Sequence, residues 1–390
     1  MPQTQPPLST ILPPLICGTA TFNNQYNTDV SLLPTNAIIK NALDLGVCAF
    51  DTSPYYGPSE SLLGSALAAA NYPRSSYFLV TKVGRIGGSE FDYSPEWVRY
   101  SIQRSLQRLH AKYLDVVYCH DVEFVSPAEV LIAIKELRRI RDTEGTLKYV
   151  GISGYPVPLL CDLAELVLRE TGEPLDAVMS YANFTLQNTT LLTQGMERLK
   201  KAGVSVVPNA SILGMGLLRG QGVPVGGNGD FHPAPNELRK AVAKAARFVE
   251  GKGERLEVVA MRWGLERWAN EGAVLGGKGG IGVSVMGVST VGELEETMRV
   301  WNSVLDGLAI AGREPGETER EWSLARRKEV GGLAKGVVDA LGKWKDFTWP
   351  SPDDNYVNMR LVKGIVDEVA PMPAVMKDKP VQKVGKVSRL

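Results

Sequence analysis

The chain has 390 residues, of which 44% are hydrophobic and 22% are charged, a composition that is usual for a globular enzyme. Its 43 lysine and arginine residues balance 43 aspartate and glutamate residues, so no overall field favours nucleic acid or an anionic membrane surface as partner. The apolar runs are all shorter than a membrane span, and we expect no membrane partner.

The rare residue types point to a reduced, metal-free protein. The four cysteines stand singly in apolar runs without a Cys-x-x-Cys pair, which favours buried thiols over disulfides. The three histidines show no ligand spacing, so we expect no metal site. The first seven residues lack the basic start and apolar core of a signal peptide. Together these features predict a cytoplasmic protein.

Short β-rich runs alternate with amphipathic helical stretches along the chain. The predicted strands are Leu15–Thr19, Val47–Asp51, Tyr77–Lys82, Val116–His120, Tyr149–Ser153, Ala177–Tyr181, Val204–Asn209 and Gly282–Gly287. The predicted helices include Asn36–Leu45, Ser59–Ala70, Pro95–Leu109, Pro127–Thr143, Pro156–Thr171, Leu191–Ala202, Asn236–Gly251 and Val291–Val304. Eight strands that are each followed by a helix predict parallel pairing.

An α/β pattern of this kind forms either a barrel or an open, doubly wound sheet. Near-continuous apolar strands, such as residues 114–119, fit a sheet that is buried on both faces. An open sheet should carry a glycine-rich turn after its first strand, and residues 17–23 do not supply one. We therefore predict a (β/α)8 TIM barrel over residues 1–347, ending in a charged helical region (Glu317–Lys345), and a partly irregular tail over residues 348–390.

Two glycine-rich segments interrupt the regular alternation. Gly214–Pro235 follows the seventh strand and has the length of a lid or binding loop. Gly276–Gly282 precedes the eighth strand and is predicted to be a flexible linker rather than a phosphate cradle. Part of the C-terminal tail is expected to pack over one face of the barrel.

Four side chains with acid–base chemistry follow the apolar strands. Asp51 ends the second strand and Tyr56 follows it by five residues, whereas Lys82 and His120 end the third and fourth strands. The carboxyl ends of barrel strands converge on one mouth, where the chemistry of that fold takes place. We therefore expect the four side chains to meet.

The residue types suit proton transfer at an oxygen atom. A free tyrosine has a pKa of about 10, and a nearby ammonium group held by a carboxylate lowers that pKa. Tyr56, Lys82 and Asp51 supply these parts, His120 can orient a carbonyl or hydroxyl oxygen, and a cofactor would move the hydride. Taken singly, each residue could equally be a cap, a solvated charge or a core group. A lysine at a barrel strand end, such as Lys82, is also typical of an aldolase that forms a Schiff base. That alternative leaves the spacing between Asp51 and Tyr56 unexplained.

Over roughly residues 15–301 the chain resembles the aldo-keto reductase superfamily. The motifs that carry the resemblance are Gly18-Thr19, Asp51-x4-Tyr56-Gly57-x-Ser59-Glu60, Thr81-Lys82, Leu114-Asp115-Val-Val-Tyr-x-His120, Gly151-Ile-Ser153 and Gly214-x-Gly216-Leu217-Leu218. The resemblance implies a (β/α)8 barrel with Asp51, Tyr56, Lys82 and His120 as catalytic tetrad and Tyr56 as proton donor or acceptor. It also leads us to expect substrate contacts from Phe22, Tyr55 and His120.

The cofactor positions of the family are only partly matched. Ser153 stands where the family has the serine of a Ser-Asn pair that holds the nicotinamide amide, but Gly154 replaces the asparagine. Ser180 replaces a frequent glutamine, and Ala210 replaces an aromatic residue that stacks on the nicotinamide. The resemblance also assigns three residues to the loop that binds the diphosphate of the cofactor, namely Ser211, Leu213 and Gly214.

The segment after the eighth strand bears on the choice of cofactor. Gly287, Ser289 and Glu293 stand where members that bind a 2′-phosphate carry lysine or arginine. A carboxylate repels a phosphate and can accept a hydrogen bond from a free ribose hydroxyl. The resemblance therefore predicts NAD as cofactor, with NADP possible.

Within the superfamily, the runs Gly151–Pro156, Ser180-Tyr181 and Asn209–Ser211 are similar to a branch of NAD-linked sugar 1-dehydrogenases. That similarity implies oxidation of a small sugar at C1 to an aldonolactone, with D-arabinose, L-galactose and L-fucose sharing the relevant stereochemistry. The alternatives are a general NADPH-dependent aldehyde or ketone reductase and a nucleotide-binding regulatory subunit. The sequence does not predict the oligomeric state.

Overall fold

The computed structural model describes residues 5–27, 29–223, 229, 231–308, 310 and 313–365. Within them, eight parallel strands form a closed barrel in chain order, and the first strand pairs with the last. The strands are β1 (Leu15–Gly18), β2 (Ala49–Asp51), β3 (Phe78–Val83), β4 (Leu114–His120), β5 (Leu147–Gly154), β6 (Ala177–Tyr181), β7 (Asn209–Ala210) and β8 (Ser284–Gly287). The predicted (β/α)8 barrel is confirmed.

Helices surround the barrel. In the described residues they are α1 (Leu8–Ile11), α2 (Thr35–Asp44), α3 (Ser59–Ala70), α4 (Pro95–Arg108), α5 (Pro127–Thr143), α6 (Val157–Thr171), α7 (Met196–Lys201), α8 (Asn236–Glu250), α9 (Leu256–Glu271), α10 (Val291–Asp306) and α11 (Glu317–Leu341). The helix predicted over residues 191–202 is a π-helical turn (Leu191–Gly195) followed by α7.

Local capping sets where two of these helices begin. Ser94 precedes α4 and accepts a hydrogen bond from the Trp97 amide, and proline follows at the first helical position. Ser126 and Glu129 form a reciprocal capping box at the start of α5. Such caps satisfy amide groups that lack a partner in the first turn. The sequence therefore fixes these two boundaries locally.

Strand β7 is shorter than predicted. The sequence suggested residues 204–209, whereas the structure has a single bridge between Ala177 and Val206 and then the two-residue strand. Pro208 interrupts the run, and its missing N–H removes one rung of the ladder. The Asn209 amide resumes the pairing by donating to the Val283 carbonyl (2.9 Å).

The amino ends of the strands are closed by an apolar plug. Leu8 and Leu12, on and just after α1, are fully buried and pack with inward-facing residues such as Ile16 and Val116. The Lys278 amide donates to the Leu12 carbonyl. The glycine-rich segment before β8 is therefore packed against this plug, and its prediction as a flexible linker is wrong.

The C-terminal extension is built in two parts. Helix α11 packs on α8 and α9, and the three helices share a second hydrophobic cluster that includes Val242, Val259 and Val337. Residues 342–365, which we call the strap, then cross the carboxyl ends of the strands. Trp349 of the strap stacks on Tyr155 at a centroid distance of 4.6 Å. The expectation that part of the tail covers a barrel face is thus met, while residues 366–390 lie outside the described residues.

In the part of the chain that the structure describes, no helix has both the length and the apolar character needed to span a membrane.

Candidate active site

The structure brings the four predicted side chains together at the carboxyl ends of the strands. Lys82 is almost fully buried, and its Nζ donates to both Asp51 carboxylate oxygens (2.7 and 2.9 Å) and to the Thr52 carbonyl (2.9 Å). The same Nζ lies 4.8 Å from the centre of the Tyr56 ring. The Tyr56 ring meets the His120 ring edge-on, with centroids 5.6 Å apart.

The loop after β2 holds Tyr56 in place. The Tyr56 amide donates to the Ser53 carbonyl (3.0 Å), and Gly57 turns the chain with a φ of 60°, where a side chain would be strained. Ser59 then begins α3, and its hydroxyl lies 2.6 Å from the Thr19 hydroxyl and 3.0 Å from the Thr52 hydroxyl. The loop is therefore tied to β1 as well as to β2.

A hydrogen-bond chain fixes the His120 ring. Ser53 Oγ accepts from the Tyr55 amide (3.1 Å) and lies 3.0 Å from His120 Nδ1. Burial lowers the pKa of His120 to about 3, so the ring is neutral. Because Ser53 accepts from the Tyr55 amide and keeps its own hydroxyl proton for Nδ1, the arrangement suits the tautomer with the ring proton on Nε2. His120 can then donate from Nε2 to a substrate oxygen.

The pKa of Tyr56 is raised in this structure, whereas the sequence led us to expect that Lys82 lowers it. Burial raises the pKa of Tyr56 well above its ordinary value of 10, and the nearby carboxylates Asp51 and Asp121 raise it further. The Lys82 ammonium is engaged by Asp51, so the two charges offset each other close to the phenol. Tyr56 is therefore a protonated phenol at neutral pH.

Charged groups that sequence reasoning missed border these side chains. Arg85 donates to the Tyr55 hydroxyl (2.9 Å) and to the Asp121 carboxylate, and its guanidinium lies 3.7 Å from the centre of the Tyr55 ring. Asp121 follows His120 directly, and Arg85 lies three residues after Lys82. Both positions lie within three residues of a predicted strand end, which is the signal that could have found them.

Two predicted substrate contacts differ in accessibility. Tyr55 is partly exposed and borders the site, with its ring 5.9 Å from the His120 ring. Phe22 is fully buried in the main hydrophobic cluster. Contact between Phe22 and a substrate would require its loop to move, so its burial does not support the predicted role.

A wide concavity in the part of the chain that the structure describes lies away from these side chains. Its volume is about 930 Å³, and helices α9 and α11 supply much of its lining, including Trp263 and Val338. None of the four predicted catalytic residues lines it. The convergence of acid–base groups marks the candidate site, because the size of a concavity alone carries no chemistry. The described residues contain no group of three or more potential metal-ligating side chains.

Comparison with known proteins identifies the family. The profile of the Aldo/keto reductase family matches residues 14–311. The chain belongs to the aldo/keto reductase family. D-arabinose 1-dehydrogenase of Saccharomyces cerevisiae is 44% identical over 286 residues, which cover 72% of this chain and 81% of that protein. L-galactose dehydrogenase of Arabidopsis thaliana is 37% identical over 318 residues, which cover 81% of this chain and 86% of that protein.

A solved structure agrees with the fold. The glycerol dehydrogenase of Gluconobacter oxydans superimposes with a TM-score of 0.58 at 20% identity, over 88% of this chain and 96% of that one. Together the family and its relatives make this protein an oxidoreductase of the aldo/keto reductase type. Members of the family use nicotinamide cofactors.

The diphosphate loop predicted from the family has a suitable backbone. Ser211, Gly214, Met215 and Gly216 all have positive φ, between 55° and 94°. Within the described residues, the Leu213, Met215 and Gly216 amides donate to no acceptor. Successive free amides on a curled backbone form a concavity that binds anions. The loop therefore fits a cofactor diphosphate.

This loop is fixed from the side by a buried histidine. His232 Nδ1 accepts from the Ala234 amide (3.0 Å), so Nε2 carries the proton that it donates to the Gly214 carbonyl (2.8 Å). Burial lowers the pKa of His232, which agrees with a neutral ring. His232 thus has a structural task in the part of the loop after β7 that is described; residues 224–228 and 230 of the predicted loop lie outside it.

The predicted nicotinamide contacts are arranged differently from the family pattern. Ser153 and Ser180 are both buried, and Ser180 Oγ accepts from Asn183 Nδ2 (3.0 Å). A side chain at Gly154 would begin 2.5 Å from Glu123 Oε2. The Glu123 carboxyl therefore occupies the space beside position 154 that an asparagine would need. The assignment of Ser153 and Ser180 to cofactor binding stays a prediction.

The residues after β8 form a helix start. Glu293 is exposed, and its carboxylate accepts from the Ser289 amide (2.7 Å), while the Glu293 amide donates to the Thr290 hydroxyl (3.1 Å). Gly287 ends β8 and pairs with Gly18. Thr290 thus caps α10, and the Glu293 carboxylate holds the turn before the helix. The part of Glu293 in cofactor choice stays a prediction.

Proposed function

We propose that this protein is an NAD-dependent aldose 1-dehydrogenase that oxidises D-arabinose, or a sugar of the same stereochemistry such as L-galactose or L-fucose, to the aldonolactone. The observation that carries the proposal is the assembly of Tyr56 and His120 around one position above the buried Lys82–Asp51 pair. The similarity to two enzymes named for aldose oxidation supports the sugar as substrate class.

The proposed chemistry removes two hydrogens from C1 of the cyclic sugar. His120 Nε2 donates a hydrogen bond to the C1 oxygen and orients it, and Tyr56 in its phenolate form accepts the hydroxyl proton. A nicotinamide, when bound, supplies the acceptor for the hydride that leaves C1. The C1–O bond gains double-bond character as both hydrogens leave, and the ring ester is the product.

The preference for NAD is a separate step of the proposal. Glu293 places a negative charge beside the segment that binds a 2′-phosphate in related barrels, and its carboxylate is already oriented by the Ser289 amide. A phosphate at that place would meet repulsion, and a ribose hydroxyl would meet an acceptor. NADP is the other possible cofactor, which the relatives leave open.

Steady-state kinetics with both cofactors on a panel of pentoses, hexoses and simple aldehydes tests the proposal. We expect the highest kcat/KM for NAD with D-arabinose, L-galactose or L-fucose, and loss of turnover in Tyr56→Phe. Preferential reduction of simple aldehydes with NADPH would favour the general reductase instead. The similarity to named dehydrogenases favours either enzyme over a regulatory subunit.

A further inference from the structure

Asp121 lies at the point where a substrate would meet His120. It directly follows β4, and its backbone has a φ of 53°, in the left-handed region that residues with a side chain rarely adopt. Its Oδ2 is 3.6 Å from His120 Nε2, too far for a hydrogen bond. Within the described residues His120 Nε2 has no partner at hydrogen-bond distance. The carboxylate thus stands beside the donor that the reaction uses without engaging it.

Arg85 holds the Asp121 carboxylate in this place. The guanidinium donates to Oδ2 and also to the Tyr55 hydroxyl, and it packs against the rings of Tyr55, Phe91 and Phe124 at 3.7–5.5 Å from their centres. A planar cation fixed on several sides restricts its partner as well. The position of the carboxylate is therefore set before any substrate arrives.

The Asp121 carboxylate is charged and retains accepting capacity. Burial alone would raise its pKa, but the charge and the hydrogen bond of Arg85 oppose this, and the pKa of Asp121 lies below its ordinary value. Its Oδ1 accepts no hydrogen bond from the described residues. Burying a charge next to a reaction site is costly, and the carboxylate is 3% exposed. An acceptor of this kind suits a ligand hydroxyl, which can donate to it.

The distances match two neighbouring hydroxyl groups. An oxygen that accepts from His120 Nε2 lies about 2.9 Å from it, and the oxygen on the adjacent carbon lies at a similar distance from the first. Because Nε2 and Oδ2 are 3.6 Å apart, His120 and the Asp121 carboxylate can bind the two neighbouring substrate oxygens at the same time. We propose that Asp121, positioned by Arg85, binds the hydroxyl group on the carbon next to the reacting one, which is C2 of an aldose.

This inference rests on the proposed oxidation at C1 and adds the reason for substrate choice. A simple alcohol or aldehyde has no second hydroxyl and leaves the Asp121 carboxylate without its partner. An unmatched buried charge weakens binding, so the subsite discriminates against such substrates. Polyhydroxy substrates are selected because their second hydroxyl group donates a hydrogen bond to the Asp121 carboxylate.

The experiment compares an aldose with its 2-deoxy form in the wild type and in Asp121→Asn. For D-arabinose the 2-deoxy form is 2-deoxy-D-ribose, and for L-galactose it is 2-deoxy-L-galactose. We expect the wild type to prefer the full sugar in kcat/KM by about 10- to 150-fold, the range for a hydrogen bond to a charged group. In Asp121→Asn the full sugar should lose most of this advantage while the 2-deoxy sugar changes little. Comparing the two proteins cancels the intrinsic reactivity difference between the sugars.

Asp115→Asn is the matched control. Asp115 is also a buried carboxylate paired with arginine (Arg74, 2.5 Å), but it lies at the opposite end of β4. The control should leave the preference for the full sugar unchanged. Arg85→Lys keeps the charge but loses the fixed geometry of the guanidinium, and it should reduce the preference for the full sugar. This variant replaces Asp121→Asn as the test if Asp121→Asn does not fold.

The outcomes separate the two proposals. Equal loss for both sugars in Asp121→Asn, or an unchanged preference in Arg85→Lys, would overturn the subsite and leave aldose oxidation standing. Equal kcat/KM of the wild type for an aldose and its 2-deoxy form would likewise overturn the subsite and leave aldose oxidation standing. A wild type that oxidises no aldose would overturn the proposed function itself.

Discussion

Lys82 and Asp51 form a buried ion pair in which the ammonium contacts both carboxylate oxygens, at 2.7 and 2.9 Å. The pair lies under the Tyr56 ring, 4.8 Å from its centre. Because the two charges offset each other, Lys82 acts on Tyr56 mainly by neutralising Asp51. The sequence suggested instead that the ammonium, held in place by Asp51, lowers the pKa of Tyr56 directly.

Lys82→Met should therefore raise the pKa of Tyr56 further, since Asp51 is left uncompensated. We expect kcat for sugar oxidation at pH 7 to fall by about 10²-fold or more. Stability should fall by about 3–5 kcal/mol, because a buried charge loses its partner. The double variant Asp51→Asn/Lys82→Met should recover stability, measured by urea unfolding, but not activity. Near-wild-type turnover of the single variant would show that Lys82 is only structural.

The pH dependence follows from the raised pKa of Tyr56. Oxidation needs the phenolate, which is scarce at neutral pH when the pKa is high, so kcat/KM for oxidation should rise with pH through the neutral and alkaline range. Reduction of the lactone needs the phenol and should show the opposite trend. A pH–rate profile in both directions measures this, and an oxidation rate that is flat or falls from pH 7 to 9 would contradict the assignment of Tyr56.

Ser53 is a positioning residue for His120. Its hydroxyl bridges the Tyr55 amide and His120 Nδ1 (3.1 and 3.0 Å), and loss of this hydrogen bond lets the ring turn or change tautomer. Ser53→Ala should lower kcat by about 10-fold, as one hydrogen bond of about 1–1.5 kcal/mol implies. The dissociation constant for NAD should not change.

Ser105→Ala serves as the comparison for this variant. Ser105 is also fully buried and lies on α4, and its hydroxyl has no hydrogen-bond partner among the residues that the structure describes. Equal effects of the two substitutions on kcat would mean that Ser53 has no particular role in orienting the imidazole.

Cofactor choice is tested at Glu293 with a variant that keeps the hydrogen bond to the turn before α10. Glu293→Gln retains an oxygen that accepts from the Ser289 amide and removes only the charge. We expect kcat/KM for NADP to improve relative to NAD by about 5-fold or more, as removal of roughly 1 kcal/mol of repulsion implies. Glu295→Gln, on the same helix and also exposed, is the control, and equal small effects at both positions would place cofactor choice elsewhere.

The sequence predicted the barrel and the four clustered side chains because both depend on local patterns. Each strand was a short apolar run, and Asp51, Lys82 and His120 each mark a strand end. The topology of the fold then brings strand ends together without further information. Tyr56 was found because it follows Asp51 in a short, tightly tied loop.

What the sequence missed depends on contacts between distant segments. Helix α9 was not predicted because it is buried on several sides, with Arg262 and Trp268 both inside, and so lacks one apolar stripe. The pairing of Arg85 with Asp121 joins the loops after β3 and β4. The packing of the glycine-rich turn before β8 depends on Leu12 at the other end of the chain. No local pattern encodes these partners.

Tyr56 and His120 are proposed to act at C1 of an aldose, the carbon from which the hydride leaves. The most direct measurement follows deuterium from a sugar labelled at C1, such as 1-²H-D-arabinose, by NMR during turnover with NAD. We expect deuterium in the reduced nicotinamide and unlabelled aldonolactone as the sugar product, with no transfer in Tyr56→Phe. Deuterium retained at C1 of the sugar product, or transfer at wild-type rate in Tyr56→Phe, would contradict it.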